Sequence, residues 1–375
     1  MKLLCLVAWM VTMAAMPLHA AAPSEPISPE RLNTIIEALS RLEPAVVQGN
    51  PKLLEALGKV LDATRGTPRF VELVRRFSVA GREMDLIEVA AKYPAEESGV
   101  EAMRLVLGSA AVPDLRPLLR GADKAKAAAL VKALANSNHP KAAALLVPLV
   151  TETKVDAAVR KEAVRGLARS QEGARQLLAW ARADKLPADV RFTASAELNA
   201  ARWPDVQAEA AKLLPLPAGA NAQPLPPIAE LLQRKGDSRN GEAVYFREVV
   251  GCAKCHQING RGVEFGPALS EIGSKLGKEA MLEAILEPSA GISFGFEIWN
   301  VETKDGSEFT GMVVSDAVDE LAIKAVGGVV TRLKKADVVK RTQSKLSGMP
   351  TGLAQSVTPQ ELVDLLEFLS TLKKK

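Results

Sequence analysis

Between Ser28 and about Leu214, apolar residues return every three or four positions, the spacing of one helix face. In VRKEAVRGLARS, starting at Val159, the stripe is Val159, Ala163, Val164 and Leu167. Two other segments match it, KAAALVKALANS from Lys126 and VRFTASAELNAA from Val190, at offsets of 33 and 31 residues. A short amphipathic helix cannot bury its apolar face alone, so a helical unit repeating at this spacing stacks on its neighbours. The pattern predicts an α-solenoid over residues 28–214. Pro29 to about Gly121 is also helical in period but more degenerate, without clean unit boundaries. LLPLPAGANAQPLPP, Leu213 to Pro227, then places five Pro among small residues. It predicts a linker over 215–236, with one short helix from Ile228 to Arg234. The third part, 237–375, opens on a helix.

From Gly295 the period changes to alternation, and Val, Ile and Thr become common. Lys304-Asp305-Gly306 and Gly327-Gly328 are hairpin turn signals. Strands are expected at about 296–303, 308–315, 320–325, 329–334 and 337–341, and so small a sheet is expected to curl into an SH3-like or Sm-like barrel. This β segment, 295–342, reads as an insertion, because TPQELVDLLEFLSTL restores the helical period after it. There Thr358 is the N-cap, Pro359 the first helical position and Glu361 the third, which makes a capping box. Leu362, Leu365, Leu366 and Leu369 form the stripe to be buried.

Composition agrees with helix-on-helix packing: 47% hydrophobic, 25% charged, but only 4% aromatic. A net charge of +4 gives no case for nucleic acid as a partner. Residues 241–375 carry sixteen Lys and Arg against eighteen Asp and Glu, so the positive excess lies in the first 240 residues. The opening MKLLCLVAWMVTMAAMPLHAAAP has one basic residue, an apolar run from Leu3 to Met16, a Pro and then small residues. It reads as a signal peptide over 1–22, cut after Ala20 or Ala22, which predicts a periplasmic or otherwise exported protein. No later apolar run reaches the roughly 18 residues a membrane span needs, so no transmembrane segment is expected in the mature chain.

The chain has three Cys and three His, and removing the signal leaves two Cys. Both fall with a His inside CAKCH: Cys252, Cys255 and His256. Zinc needs four ligands, and the only other His in the mature chain, His139, lies far off in the helical region. A thioredoxin-like disulfide needs a strand before the motif and a helix after it, whereas here a helix precedes and a Gly-rich loop follows. The third use of this spacing is covalent attachment of one haem c. Two thiols two residues apart reach the two vinyl groups of a porphyrin, and the adjacent His becomes the proximal iron ligand. The sixth position then takes Met, His or nothing. Met281 falls mid-helix and Met312 in an alternating strand, where both read as core. Met349 lies in the Gly- and Pro-containing loop LSGMPTGL and is the expected distal ligand.

These features resemble known families. The helical segments are similar to HEAT-type repeats through the D-x-x-V-R-x-x-A pattern at Asp156 and its shorter form at Asp189. The helix entering the motif and the capped last helix resemble the class I cytochrome c fold, in which first and last helices cross at a Gly and an aromatic, here Gly241 and Phe368. That likeness implies that Pro267, in the Gly-Pro pair of FGPALSEIG, turns its carbonyl toward the imidazole of His256. Across about 135 positions the ordered series CAKCH, GPALSEIG, LEAILEPSAGISFGFE, DGSEFTGMVVS, SGMPTGL and TPQELVDLLEFLSTL resembles the Pirellula/Verrucomicrobium-type haem-binding domain, whose members often carry HEAT-like repeats upstream.

The expected protein is mainly α: a HEAT-like solenoid, then a class I cytochrome c-like helical domain with a small inserted β-barrel. Its expected function is that of a periplasmic monohaem electron carrier whose repeats dock a redox partner, such as a periplasmic dehydrogenase. The cluster Arg332, Lys334, Lys335, Lys340, Arg341 and Lys345 reads either as a solvated face or as a surface steering an acidic partner. Two rival readings stand: a peroxidase-like enzyme or gas sensor with an open sixth site, and a scaffold whose haem is structural.

Overall fold

A computed structural model describes residues 28–215, 225–247 and 250–374. The expected signal peptide over 1–22 lies outside the described residues, as do 216–224 of the expected linker. The chain divides into two compact units, at Ala63 and Thr64. The described part of the first holds α1 (Pro29–Ser40), α2 (Pro44–Gln48) and nearly all of α3 (Pro51–Thr64). Ser28 caps α1 by accepting from the Arg31 N–H, and Pro29 opens it.

The second unit begins with α4 (Pro68–Phe77), α5 (Glu83–Lys92), α6 (Glu97–Gly108), α7 (Arg116–Leu119), α8 (Lys124–Asn136), α9 (Pro140–Thr151), α10 (Ala157–Leu167), α11 (Gln171–Arg182), α12 (Ala188–Asn199) and α13 (Pro204–Leu213). The three similar segments fall on α8, α10 and α12, which pack side by side in one row, while α11 and α13 pack together in another. The stripe named from the sequence is buried: Val159, Ala163, Val164 and Leu167 are at most 1% exposed. Each such side chain contributes about 1–3 kcal/mol, the row's main support. Charge repeats along the row as well. Lys124 reaches Asp156, the N-cap of α10, at 3.4 Å, and Arg160 reaches Asp189 on α12 at 2.5 Å.

Helices α14 (Ile228–Gln233), α15 (Ser238–Phe246), α16 (Ile272–Lys275), α17 (Lys278–Leu286) and α18 (Pro359–Thr371) share a second core. Leu231, Tyr245, Met281, Leu282, Leu362, Leu366 and Phe368 are buried in it. Helix α18 starts as its sequence dictates. Thr358 accepts from the Glu361 N–H while the Glu361 carboxylate accepts from the Thr358 N–H. No helix among the described residues is long and apolar enough to cross a membrane.

Five antiparallel strands lie between α17 and α18: β1 (Ile298–Thr303), β2 (Glu308–Asp316), β3 (Glu320–Lys324), β4 (Val330–Lys334) and β5 (Val338–Gln343), in the order β4-β3-β2-β1-β5. All five start and end within two residues of their expected bounds. The sheet is open, whereas a closed barrel was expected: no ladder joins its edges, β4 and β5. A reason lies in β5, whose side chains are exposed from Val339 onward, so it offers no inward face to close around. The apolar residues serve two faces instead. Val301, Phe309, Leu321, Ile323 and Leu333 form one cluster, and Ile298 and Met312 belong to another with Phe265.

The first cluster lies toward the helical rows. The Arg104 guanidinium of α6 stacks over the Phe309 ring at 4.8 Å. Around it, Arg75 of α4 reaches Glu320 at 3.5 Å, Glu97 of α6 reaches Arg332 at 2.5 Å, and Arg202 donates to Asn300 and Glu308 at 2.8 and 2.5 Å. Part of the basic cluster read from the sequence is thereby neutralised. Arg332 pairs with Glu97 and Glu320, and Lys335 and Arg341 both pair with Asp316.

Candidate functional site

The site begins at the crossing of α15 and α18. A Cβ built on Gly241 would sit 2.0 Å from the Asp364 carbonyl oxygen and 2.7 Å from Phe368 Cβ, so only Gly lets the helices come this close. Asp364 is 4% exposed and accepts from the Asp237 N–H, the Asn240 amide and the Gln360 amide at 2.9, 2.7 and 2.9 Å. This carboxylate therefore ties the start of α15 to α18. At the other end of α15, Arg247 pairs with Glu361 at 2.7 Å and holds that carboxyl below the usual carboxylate range.

Cys252–Lys254 form a single 3₁₀ turn, entered through Gly251 at positive φ. The Cys255 and His256 N–H groups both return to the Cys252 carbonyl, at 3.2 and 2.9 Å. The chain then reverses at Asn259-Gly260, both at positive φ, where Ile258 bridges Arg261. The returning strand lies along the motif: Val263 N–H donates to Ala253, and Phe265 and Gly266 N–H donate to Cys255.

That return fixes the imidazole. His256 Nδ1 lies 2.8 Å from the Pro267 carbonyl oxygen. A carbonyl only accepts, so Nδ1 carries the proton and Nε2 keeps a lone pair for a Lewis acid. A Cβ on Gly266 would come within 2.5 Å of His256 Cε1, so the absence of a side chain there leaves room for the ring. Burial also pushes the His256 pKa down, against the Pro267 hydrogen bond, and favours the neutral ring. The backbone is held too: the buried Tyr245 hydroxyl donates to the His256 carbonyl at 2.8 Å.

Both thiols are free and half-buried. Burial pushes Cys252 up to about 11 and raises Cys255 as well. That is the opposite direction from the depressed thiol pKa of a redox-active C-x-x-C. Nor do the described residues hold any group of three or more His, Cys, Asp or Glu placed to bind a metal ion, as a zinc site would require. The turn presents one imidazole, oriented by a carbonyl, beside two free thiols. That donor set suits a c-type haem.

The structure thus brings Cys252, Cys255, His256 and Pro267 together. Met349 is half-buried in its loop, with its N–H bonded to Ser347 Oγ at 3.1 Å. Its neighbour Gly348 lies against Ile298 and Phe265, the aromatic beside the Gly266-Pro267 pair. Met281 belongs to the helical core, and Met312 packs in the cluster beside Cys255. Sequence reasoning missed Asp364 and Tyr245. A carboxylate inside the apolar run Leu362–Leu366 was a usable signal for Asp364, whereas Tyr245 differs from any core aromatic only through its hydroxyl partner.

No curated protein matches the chain. A family model described as Cytochrome c matches residues 238–306, from α15 through the C-x-x-C-H turn to the first hairpin. Residues 238–306 are therefore similar to a cytochrome c domain, which supports haem binding by this part of the chain.

Proposed function

We propose that the protein is an exported monohaem c-type cytochrome that transfers single electrons to or from a partner protein. Cys252 and Cys255 hold the haem through thioethers, His256 is the proximal ligand through Nε2, and Met349 is the distal ligand. The observation that carries this reading is the 2.8 Å contact between His256 Nδ1 and the Pro267 carbonyl, formed beside two uncommitted thiols. When bound, the haem supplies an iron that cycles between ferric and ferrous. The chain's own residues supply the setting. Pro267 holds the proton on Nδ1 and makes the imidazole a stronger donor. Tyr245 and the Cys252 carbonyl fix the backbone of His256. A loop thioether at Met349 raises the potential relative to a second His.

We assign signal, helical-repeat, linker and haem regions to residues 1–22, 28–214, 215–236 and 237–375. Rows of stacked helices suit partner docking. The sheet already contacts α4, α6 and the segment after α12, so a docking partner, such as a periplasmic dehydrogenase, takes the remaining helix faces.

The test is covalency. Exported with a cytochrome c maturation system, the wild-type chain keeps its haem through acid–acetone extraction and denaturing electrophoresis, and Cys252→Ala with Cys255→Ala loses it. Covalent haem in the double variant would sink the assignment.

A further inference from the structure

The sequence presents the sheet as an insertion, and its place in the fold gives it a second task. Side chains along a strand alternate between faces. On β1 and β2 the cross-strand partners Val301 and Phe309 point into the cluster on the helical-row side. Ile298 and Met312 are also cross-strand partners, three positions away on each strand, and therefore face the opposite way. There they are 7% and 5% exposed, in a cluster with Phe265, and Cys255, Val263 and Phe296 pack against it. Two further contacts seal the same side. Gly328, in the turn between β3 and β4, lies against Val263, and Gly348 lies against Ile298 and Phe265. Val263 and Phe265 are the residues whose N–H groups bind back to Ala253 and Cys255. One face of the sheet thus covers the segment that holds the second thiol of the motif.

We propose that this face is a wall of the haem pocket, and that Ile298 and Met312 touch the porphyrin on the Cys255 side. The proposal rests on the haem reading above and extends it past the matched residues 238–306 to Met312. The chemistry suits the task. An unbranched thioether moulds to an aromatic surface, and an apolar wall disfavours the extra positive charge of ferric iron. The sheet then contributes to the reduction potential directly and not only to stability.

The experiment uses the full-length exported protein with its haem attached, and measures the midpoint potential and the Soret circular dichroism. Met312→Gln keeps side-chain length but brings a polar amide to the wall. It retains covalent haem, shifts the potential downward and changes the Soret signal. Met312→Leu, close in volume, guards against a folding failure; it alters the Soret signal and leaves the potential nearer wild type. Ile323→Val trims one methyl from the cluster on the opposite face, lowers the melting temperature slightly and moves neither haem signal in the folded protein. If Met312→Gln lowers the melting temperature as Ile323→Val does, while potential and Soret signal stay at wild type, the proposal is overturned and the haem reading stands. An unchanged Soret signal in Met312→Leu overturns it too. A wild-type chain without covalent haem overturns both.

Discussion

Substituting Ala for Gly266 should disturb His256, the proposed proximal ligand, without touching Cys252 or Cys255, the proposed thioether residues. The added Cβ would meet His256 Cε1 at 2.5 Å, Nδ1 at 2.9 Å and Nε2 at 3.1 Å, so it would press on the whole imidazole. Ordinary contact begins near 3.4 Å, and the ring must retreat by about 0.9 Å. The backbone cannot yield instead, because the Gly266 N–H is bound to the Cys255 carbonyl at 2.6 Å. A retreat of that size along the Nδ1···O direction would stretch the 2.8 Å hydrogen bond to Pro267 beyond useful length. Such a bond is worth roughly 0.5–1.5 kcal/mol. Losing it makes the imidazole a weaker donor, which costs ferric iron more than ferrous. If about 1 kcal/mol of that loss is differential, the midpoint potential rises by on the order of 40 mV for one electron. Potentiometric titration of the exported variant measures the shift, and acid–acetone extraction checks that the haem stays covalent. A Gly266→Ala protein with the wild-type potential and visible spectrum would refute the reasoning, because it would show that Pro267 does not act on the iron through His256.

Met349→Ala should keep the haem, lose the weak charge-transfer band of sulfur-ligated ferric haem, lower the potential and bind carbon monoxide, whereas Met281→Ala should do none of these. Rapid carbon monoxide binding by wild type, with no spectral change in Met349→Ala, favours the open-site enzyme or sensor. Asp364→Ala removes the shared acceptor of three part-buried hydrogen bonds and should cost about 1–3 kcal/mol, measured by urea unfolding, with Asp364→Asn recovering part of it. Arg247 depresses the folded pKa of Glu361, so that carboxylate's contribution is complete above the usual carboxylate range and is lost as pH falls through the depressed value. The stability gap between wild type and Glu361→Gln should therefore shrink from about pH 6 to about pH 3, and a constant gap would contradict the linkage.

Much of this was legible in local pattern. The capping box at Thr358 and Glu361, the row of α8, α10 and α12, and five strands punctuated by Gly turns follow from period and turn chemistry, which depend on near neighbours. The approach of the Pro267 carbonyl to His256 came from likeness to a known fold, since ten residues of loop separate the two. Barrel closure was misread because alternation gives the two faces of a strand and not what covers them. Ile298 and Met312 read as core, and their parity on β1 and β2 could have set them opposite Val301 and Phe309. That the opposite face meets Cys255 and Phe265 is a tertiary fact with no short-range signal. Asp364 was hidden for the converse reason: two of its three partners, Asp237 and Asn240, lie more than a hundred residues earlier, at the start of α15.

The sheet is held from both sides, by Arg75, Glu97, Arg104 and Arg202 on the helical rows and by the Phe265 cluster at the haem motif. A Pro-rich stretch separates rows and haem domain along the chain, yet Thr64 onward forms one compact unit. The Pro-rich stretch is therefore not expected to be a boundary of cooperativity. Loosening the sheet withdraws support from the rows and the haem motif together, so heat should take both through a single calorimetric transition with matching van't Hoff and calorimetric enthalpies. A fragment cut at residue 237 would keep Cys252, Cys255, His256 and Met349, but would bare the Phe309 face of the sheet to water. Such a fragment should be harder to keep monomeric than the intact chain.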